Sequence, residues 1–240
     1  MNRILRMVLL NIFRIPGFYT KLCHYAKHTD EYPEQEKWDH IHKIFGHAVT
    51  AANVDLVVTG LENLPEKDGF MFYANHQGMF DVVALAASCP RPLGCVLKKE
   101  LKDAPLLKQV IACTHSFPMD RGDVRQSLTV INAVIREVQN GRNYLIFPEG
   151  TRSRQGNVMG QFHGGSFRCA VKAKCPIVPI AYIDSFRPLD QKGSQRLQVQ
   201  MHYLPAIEYE EFAHMTPTEV AELVKGRIQE KIDQCLAERM

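Results

Sequence analysis

A histidine and an aspartate five residues apart have the types and spacing that acid–base chemistry needs. His76 and Asp81 lie between an apolar run that predicts a strand and a segment with helical periodicity. Residues five apart on a regular helix point about 140° away from each other. The two side chains therefore meet only if His76 precedes the helix and Asp81 lies in its first turn. Gly78 permits that bend, and the helix dipole favours a carboxylate there.

Such a pair suits general-base catalysis. Asp81 would hold one ring nitrogen of His76, and the other nitrogen would accept a proton from a hydroxyl group. A surface histidine beside a helix-capping aspartate fits the same spacing, and on spacing alone it is the more frequent arrangement.

A second polar segment, Phe147-Pro148-Glu149-Gly150-Thr151-Arg152-Ser153-Arg154, begins at the end of the apolar run 144–147. It places a carboxylate, a hydroxyl and two guanidinium groups directly after a predicted strand. Ligands of open α/β sheets bind at the carboxyl ends of the strands, and arginine grips phosphate through two hydrogen bonds. The segment therefore suits phosphate binding, although an ordinary polar turn with a Glu–Arg ion pair has the same composition.

Two further segments add an arginine and a strand. Arg121 follows an apolar run in the segment 117–122. The segment Pro176-Ile177-Val178-Pro179-Ile180 predicts a buried edge strand, because proline cannot donate to a central ladder.

From residue 54 onward, short apolar runs alternate with helical stretches, and these elements have to position the polar segments. Strands are predicted at 56–58, 70–73, 94–97, 144–147, 177–181 and 197–203. Helices are predicted at about 80–88, 104–112, 124–140 and 165–173, followed by a last helix that Thr216 caps and Pro217 opens. The alternation predicts an α/β fold with a mostly parallel central sheet flanked by helices.

The beginning of the chain predicts a separate unit. A first helix is expected to end at Pro16-Gly17, and a second is expected over about 33–52. We therefore predict an N-terminal two-helix, membrane-associating segment over residues 1–53, followed by an α/β domain over residues 54–240.

The first helix is amphipathic. Arg3, Arg6 and Arg14 share one face, and the other face is apolar. This pattern is typical of a helix that lies in a membrane interface with its arginines on anionic head groups. The alternative is a helix packed on the domain with its arginines in water.

Composition excludes several classes of function. The net charge is +3 and no Lys/Arg-rich run of five to eight residues occurs, which argues against nucleic acid as a partner. The sequence contains no run of about 18 apolar residues, so no membrane-spanning helix is predicted. Seven cysteines without a CxxC pair predict a reducing compartment rather than a disulfide framework, and we expect no metal site. Disorder is expected only near the ends and around residues 185–197.

The order of the polar segments resembles the signature of the glycerolipid acyltransferases, and in particular of the 1-acylglycerol-3-phosphate acyltransferases among them. The blocks are NHxxxxD at 75–81, Arg-Gly at 121–122, FPEGTRS at 147–153 and a VPI strand at 178–180. Four blocks in this order are far more specific than any one of them. The resemblance covers residues from about 54 to 182, more than half of the chain.

The resemblance implies a role for each matching residue. His76 would be the general base and Asp81 its partner. The residues that the resemblance assigns to the substrate-binding site are Arg121, Glu149, Gly150, Thr151 and Arg152. The arginines would contact phosphate, and the glycine and threonine would shape the loop.

The resemblance also implies a reaction. A fatty acyl group would pass from a thioester, either acyl-CoA or acyl carrier protein, to the sn-2 hydroxyl of lysophosphatidic acid, without a cofactor or metal. The product would be phosphatidic acid, for phospholipid biosynthesis, and the enzyme would be a peripheral protein on membrane lipids at the cytoplasmic face of the cell membrane. One alternative is a related enzyme that acylates glycerol 3-phosphate or another lysophospholipid. Another is a non-catalytic membrane-binding module.

Overall fold

The structure is a computed structural model that describes residues 2–120 and 122–239. Its helices are α1 (Arg3–Asn11), α2 (Ile15–Lys27), α3 (Glu34–Ala51), α4 (Phe80–Ser88), α5 (Leu107–Cys113), α6 (Val124–Gln139), α7 (Gly164–Ala173), α8 (Arg187–Asp190), α9 (Tyr209–Phe212) and α10 (Pro217–Ala237). Its strands are β1 (Val54–Thr59), β2 (Met71–Ala74), β3 (Leu93–Lys98), β4 (Phe117–Met119), β5 (Asn143–Ile146), β6 (Ile177–Ile183) and β7 (Leu197–Tyr203).

These strands form one sheet in the order β1-β7-β6-β2-β5-β3-β4. Strands β2 to β6 run parallel to one another, and β7 returns antiparallel to β6 and pairs in parallel with β1. The predicted α/β fold with a mostly parallel sheet is thus confirmed. Every residue of β2, β5 and β6 is buried, as expected where helices cover both faces of a parallel sheet.

The helices cover the sheet in two layers with separate cores. On one face, residues of α2, α3 and α4 pack against the sheet, with Trp38 and Phe80 in this core. On the other face, α6, α7 and α10 form a second core that includes Phe167 and Ile228. The last helix begins as predicted, because Thr216 accepts from the backbone of Glu219 and the Glu219 side chain accepts in return.

The topology brings three chain segments to one edge of the sheet. Because β2, β5 and β6 are parallel neighbours, their carboxyl ends lie side by side. The segments that follow them are residues 75–79, 147–153 and 184–190. The third belongs to the stretch 185–197 where disorder was expected. Instead it contains the short helix α8.

The prediction of an edge strand at 176–180 is wrong. The strand β6 lies inside the sheet, between β2 and β7. The carbonyl oxygen of Pro179 accepts from the backbone N–H of Leu204, on the side of β7. The backbone nitrogen of a strand residue points to the same side as its carbonyl oxygen, so the hydrogen-bond donor that proline lacks would also face β7. Regular pairing with β7 begins only at Ile180, opposite Tyr203. The proline therefore lies just past the end of that ladder and breaks no hydrogen bond of it.

The first helix does not end at Pro16-Gly17. It ends at Asn11, and Pro16 lies in the first turn of α2. Proline has the backbone torsion of a helix and lacks only a donor that is unused in the first turn, so it begins a helix as readily as it ends one. The N-terminal region therefore holds three helices, α1, α2 and α3, rather than two.

The arginine face of α1 packs against the domain, contrary to both arrangements considered from the sequence. Arg3 is only 3% exposed and donates to the carbonyl oxygens of Ala52, Gly193 and Gln195. Arg6 donates to the carbonyl oxygen of Ala51 at 3.0 Å. Carbonyl groups at the end of α3 lack helical partners and carry partial negative charge, so they attract these cations.

Since the arginines point inward, the apolar face of α1 points outward. Of the sixteen large hydrophobic side chains that are exposed in the described part of the chain, nine lie between residues 4 and 19. We call them the apolar N-terminal surface: Ile4, Leu5, Val8, Leu9, Leu10, Ile12, Phe13, Ile15 and Tyr19.

No helix within residues 2–120 and 122–239 has both the length and the apolar character to cross a bilayer. The helix α3 packs on α4 and β1 and contributes to the same core as β2 and β6. The division of the chain at residue 53 stays a prediction.

Candidate active site

The pair His76–Asp81 has the arrangement that its spacing requires. His76 lies in the loop after β2, and Asp81 is the second residue of α4. The Nδ1 atom of His76 lies 2.7 Å from Oδ2 of Asp81. The imidazole is 19% exposed and the carboxylate is fully buried. One edge of the ring therefore faces the carboxylate while the side chain keeps access to a ligand.

The buried carboxylate of Asp81 is fully hydrogen-bonded. Its Oδ2 atom also accepts from the backbone N–H groups of Gln77, at 2.7 Å, and Gly78, at 3.0 Å. Its Oδ1 atom accepts from the hydroxyl of Ser185. A buried charge needs such partners. In the neutral tautomer whose Nδ1–H donates to this carboxylate, the Nε2 atom of His76 is a proton acceptor.

The ring of His76 is also held from the side. The ring of Phe147, at the end of β5, stacks on it with centroids 4.0 Å apart and planes 20° apart. The carbonyl oxygen of His76 accepts from the backbone N–H of Ser153 at 2.9 Å. The loops after β2 and β5 therefore fix the histidine together.

Glu149 joins two loops. Its Oε1 accepts from the backbone N–H of His76 at 2.7 Å, and its Oε2 accepts from that of Gly160 at 2.8 Å. The side chain is 5% exposed. Burial raises the pKa of Glu149, although both hydrogen bonds act in the opposite direction. Glu149 therefore holds the loop of the histidine, and its contact with substrate stays a prediction.

The next residues turn the chain outward. Gly150 has a φ of +69°, a torsion that favours glycine. Thr151 is exposed. Arg152 then projects towards the start of α4, where its Nη1 atom lies 2.5 Å from Oδ1 of Asp190. The other oxygen of Asp190 accepts from the backbone N–H of Met79 at 3.0 Å.

The remaining predicted contact cannot be placed. Arg121 lies outside the described residues, and its role in phosphate binding stays a prediction. Within the described residues, no group of three or more His, Cys, Asp or Glu side chains is arranged to hold a metal ion.

Two polar side chains to which the sequence analysis assigned no role, Asn75 and Gln77, complete the site. The side chain of Gln77 donates to the oxygens of Asn157 and Tyr182, both at 2.9 Å, and accepts from the backbone of Ser185. Asn75 pairs with the backbone of Tyr182 in both directions. A signal was present here, because Asn75 and Gln77 are the sequence neighbours of His76.

Comparison with known proteins is consistent with this geometry. The model of the Acyltransferase family matches residues 55–183, more than half of the chain. The chain belongs to the Acyltransferase family. The segments 75–79 and 147–153 lie within the matched residues, and the segment 184–190 follows directly after them.

Several curated relatives carry one name, 1-acyl-sn-glycerol-3-phosphate acyltransferase. That of Bacillus subtilis is 30% identical over 183 residues, which cover 72% of this chain and 87% of the relative. That of Salmonella typhimurium is 29% identical over 173 residues, which cover 70% of each chain. That of Saccharomyces cerevisiae is 33% identical over 129 residues, which cover 53% of this chain but only 42% of the yeast protein.

A solved structure shares the fold over nearly the whole chain. It is the crystal structure of the 1-acyl-sn-glycerophosphate (LPA) acyltransferase PlsC from Thermotoga maritima. The two structures match with a TM-score of 0.80 over 98% of each chain at 21% identity. The likeness extends to the N-terminal helices as well as to the α/β region.

Proposed function

We propose that this acyltransferase moves a fatty acyl group from an acyl thioester to the sn-2 hydroxyl of 1-acylglycerol 3-phosphate, giving phosphatidic acid in phospholipid biosynthesis. The observation that carries the proposal is the His76–Asp81 pair with Arg152 beside it at one edge of the sheet. The names of the curated relatives support the choice of acceptor.

The histidine acts as the base. Its Nε2 takes the proton of the sn-2 hydroxyl while that oxygen attacks the carbonyl carbon of the thioester. The C–S bond then breaks, and the imidazolium returns the proton to the departing thiolate. A thioester is already activated, so no nucleophile of the enzyme is required. A positioned base of this kind contributes about 10²- to 10⁴-fold to the rate.

Asp81 supports that cycle without taking the proton. It fixes the tautomer in which Nδ1 carries hydrogen, and its charge stabilises the imidazolium that forms on His76. Its burial and its three other donors, Gln77, Gly78 and Ser185, hold it in one position. The backbone N–H groups of Gln77 and Gly78 are occupied by this role, so they do not serve an oxyanion.

The phosphate of the acceptor binds at the start of α4. Arg152 supplies a guanidinium there, and the backbone N–H of Met79 points to the same place. Both features attract anions, one through its charge and the other through the helix dipole. A phosphate at this position lies next to the loop of His76. The hydroxyl of the acceptor can then reach the imidazole.

The apolar N-terminal surface attaches the enzyme to a bilayer as a peripheral protein. Its nine exposed hydrophobic residues all lie between residues 4 and 19 rather than singly over the protein, and Phe13 is 97% exposed. Through Arg3, α1 is tied to Gly193 and Gln195, in the same connection between β6 and β7 that carries α8. The membrane therefore lies near the edge of the sheet where a lipid acceptor must enter. The free cysteines suit the reducing cytoplasmic side.

Vesicle binding tests the membrane assignment. Leu5→Ser with Leu9→Ser should weaken binding to anionic vesicles about 30-fold, since each half-exposed leucine contributes about 1 kcal/mol when buried in lipid. Activity on a short-chain, soluble acceptor should be retained. Leu61→Ser, at an exposed leucine outside the surface, is the control. Unchanged vesicle binding of the double variant would contradict the assignment.

A matrix of donors and acceptors tests the reaction. Purified protein is given acyl-CoA or acyl carrier protein with lysophosphatidic acid, glycerol 3-phosphate or a phosphodiester lysophospholipid. Thiol release and product mass are measured for each pair. Phosphatidic acid should be the main product, and a preference for glycerol 3-phosphate would select the related acyltransferase instead. No thiol release with any pair would leave only a non-catalytic membrane-binding module.

A further inference from the structure

Two of the groups that hold Asp81 are themselves held by one residue outside the four blocks. Asp81 accepts from the backbone N–H of Gln77 and from the hydroxyl of Ser185. Asn157 contacts the side chain of Gln77 and both the backbone and the side chain of Asp184, the residue before Ser185. Asn157 is therefore joined to both segments that supply these donors.

The surroundings of Asn157 make demands of opposite kinds on its side chain. Its Oδ1 atom accepts from the backbone N–H of Asp184 and from Nε2 of Gln77, both at 2.9 Å. Its Nδ2 atom donates to Oδ1 of Asp184, also at 2.9 Å. A carboxylate of the same size would accept from the first two groups but could not donate to the third. Among side chains of this size, only an amide meets all three demands.

Asp184 is held in an uncommon backbone conformation. It directly follows β6, has a φ of +62° in the left-handed region, and is 8% exposed. The other oxygen of its carboxylate accepts from Nη1 of Arg239, just after α10, at 2.8 Å. A residue other than glycine stays in this region only where its surroundings hold it. Asn157, bonded to both the backbone and the carboxylate of Asp184, supplies part of that hold and so fixes the position of Ser185.

We propose that Asn157 is a positioning residue for the catalytic pair, because it fixes the two donors that orient the carboxylate of Asp81 towards His76. This inference rests on the proposed function, in which His76 is the base. Gln77 and Ser185 are also joined directly, since Oε1 of Gln77 accepts from the backbone N–H of Ser185 at 2.8 Å. Loss of Asn157 therefore loosens the pair without dismantling it. The groups that bind the acceptor phosphate are untouched, so the effect should fall on kcat and not on KM.

Two single variants test this through thiol release at varied acceptor concentrations. Asn157→Ala should lower kcat about fivefold, the scale of one hydrogen bond, and should change KM for lysophosphatidic acid less than about twofold. Asn157→Asp should lower kcat by about tenfold or more, because the new carboxylate cannot donate to Asp184 and repels it. Asn132→Asp makes the same chemical change at an exposed asparagine of α6 and should leave both constants unchanged.

An exchange of the two side chains separates positioning from a general loss of stability. The double variant combines Asn157→Asp with Asp184→Asn. The carboxylate at position 157 then accepts from Gln77, from the backbone N–H at position 184 and from the new amide, whose carbonyl oxygen accepts from Arg239. All contacts are kept with one hydrogen bond reversed, so kcat should return to within about threefold of the wild type. Losses that multiply in the double variant would overturn the proposal.

Hydrogen exchange gives a readout that does not depend on turnover. Asn157→Ala should speed amide exchange in the peptides around residues 77 and 185, and the double variant should restore it. If the wild type acylates no acceptor but exchange responds in this way, the proposed function fails and the placement of the two donors by Asn157 stands. If the wild type is active and Asn157→Ala melts at a lower temperature yet keeps its kcat, Asn157 only stabilises the fold and the proposal is wrong.

Discussion

Two arginines that lie beside helix ends are used in opposite ways. Arg3 lies at the carboxyl-terminal end of α3, is 3% exposed and donates to three backbone carbonyl groups. Arg152 lies near the amino-terminal end of α4, where it pairs with the partly exposed carboxylate of Asp190. The guanidinium of Arg3 therefore stabilises the fold, whereas that of Arg152 has a partly exposed partner that the proposed acceptor phosphate would replace.

The difference follows from the polarity of a helix. The end of a helix carries unpaired carbonyl oxygens and partial negative charge, so an arginine there is neutralised by the backbone itself. The start of a helix carries unpaired N–H groups and partial positive charge, which adds to that of an arginine. Such a place requires an anion, and it becomes a binding site when the internal anion is exchangeable. Four predictions break or sharpen this contrast.

The largest effect is expected at the base beside the second arginine. His76→Ala should lower turnover by about 10³-fold, because the variant lacks the base that is proposed to take the proton of the acceptor hydroxyl. Stopped-time assays of thiol release measure it. The melting temperature should change little, since the side chain lies in a loop. Asp81→Asn should lose less, because it still positions the ring. Near-normal turnover of His76→Ala would refute the mechanism.

Arg152→Ala should raise KM for lysophosphatidic acid by about 10- to 100-fold, the scale of a lost hydrogen bond to a charged group. The value of kcat should change less, since the base is intact. Arg154→Ala is a matched control, because Arg154 is an exposed arginine two residues further along. The effect should vanish with an acceptor that lacks phosphate. An equal rise of KM for such an acceptor would show that Arg152 does not bind phosphate.

Ser185→Ala should lower kcat by about tenfold with little change in KM. The substitution leaves Oδ1 of the buried Asp81 without its donor, so the carboxylate loses its fixed orientation towards His76. If Ser185 acts through Asp81, then adding Ser185→Ala to Asp81→Asn should cost little more. Fully multiplied losses in the double variant would assign Ser185 a separate role.

The parts of the site that depend only on residues close together in the chain could be predicted from the sequence. If the side chains of His76 and Asp81 are to meet, their spacing requires the loop-and-helix arrangement that is observed. The buried strands were found because parallel strands covered on both faces are continuously apolar. Only β4, three residues with Pro118 at the edge of the sheet, was missed.

The rest depends on contacts between distant segments. Ser185 and Asp190 reach the site only because β6 lies next to β2 in the sheet, and nothing in their own neighbourhood indicates it. The edge position predicted for β6 was wrong, because a proline at position 179 does not indicate where the pairing of β6 with β7 begins. The amphipathic pattern of α1 defines two faces but does not state which of them meets the protein.

The smallest effect is expected at Arg3, whose charge is compensated by backbone carbonyl groups. Arg3→Met keeps the aliphatic stem but leaves the carbonyl groups of Ala52, Gly193 and Gln195 without their donor. We expect a loss of about 1 to 2 kcal/mol in the free energy of unfolding, measured by urea denaturation. Arg14→Met is the matched control, because Arg14 is exposed near the end of the same apolar surface and should leave stability unchanged.

In binding to anionic vesicles the order of the two variants should be reversed, with the larger effect for Arg14→Met. Arg14→Met should weaken binding modestly at low salt and not at high salt, since its attraction to head groups is screened. Arg3→Met should show no such salt dependence, because its charge already lies against carbonyl oxygens inside the protein. A salt-dependent loss for Arg3→Met with unchanged stability would mean that Arg3 faces the lipid, and the contrast between the two helix ends would then fail.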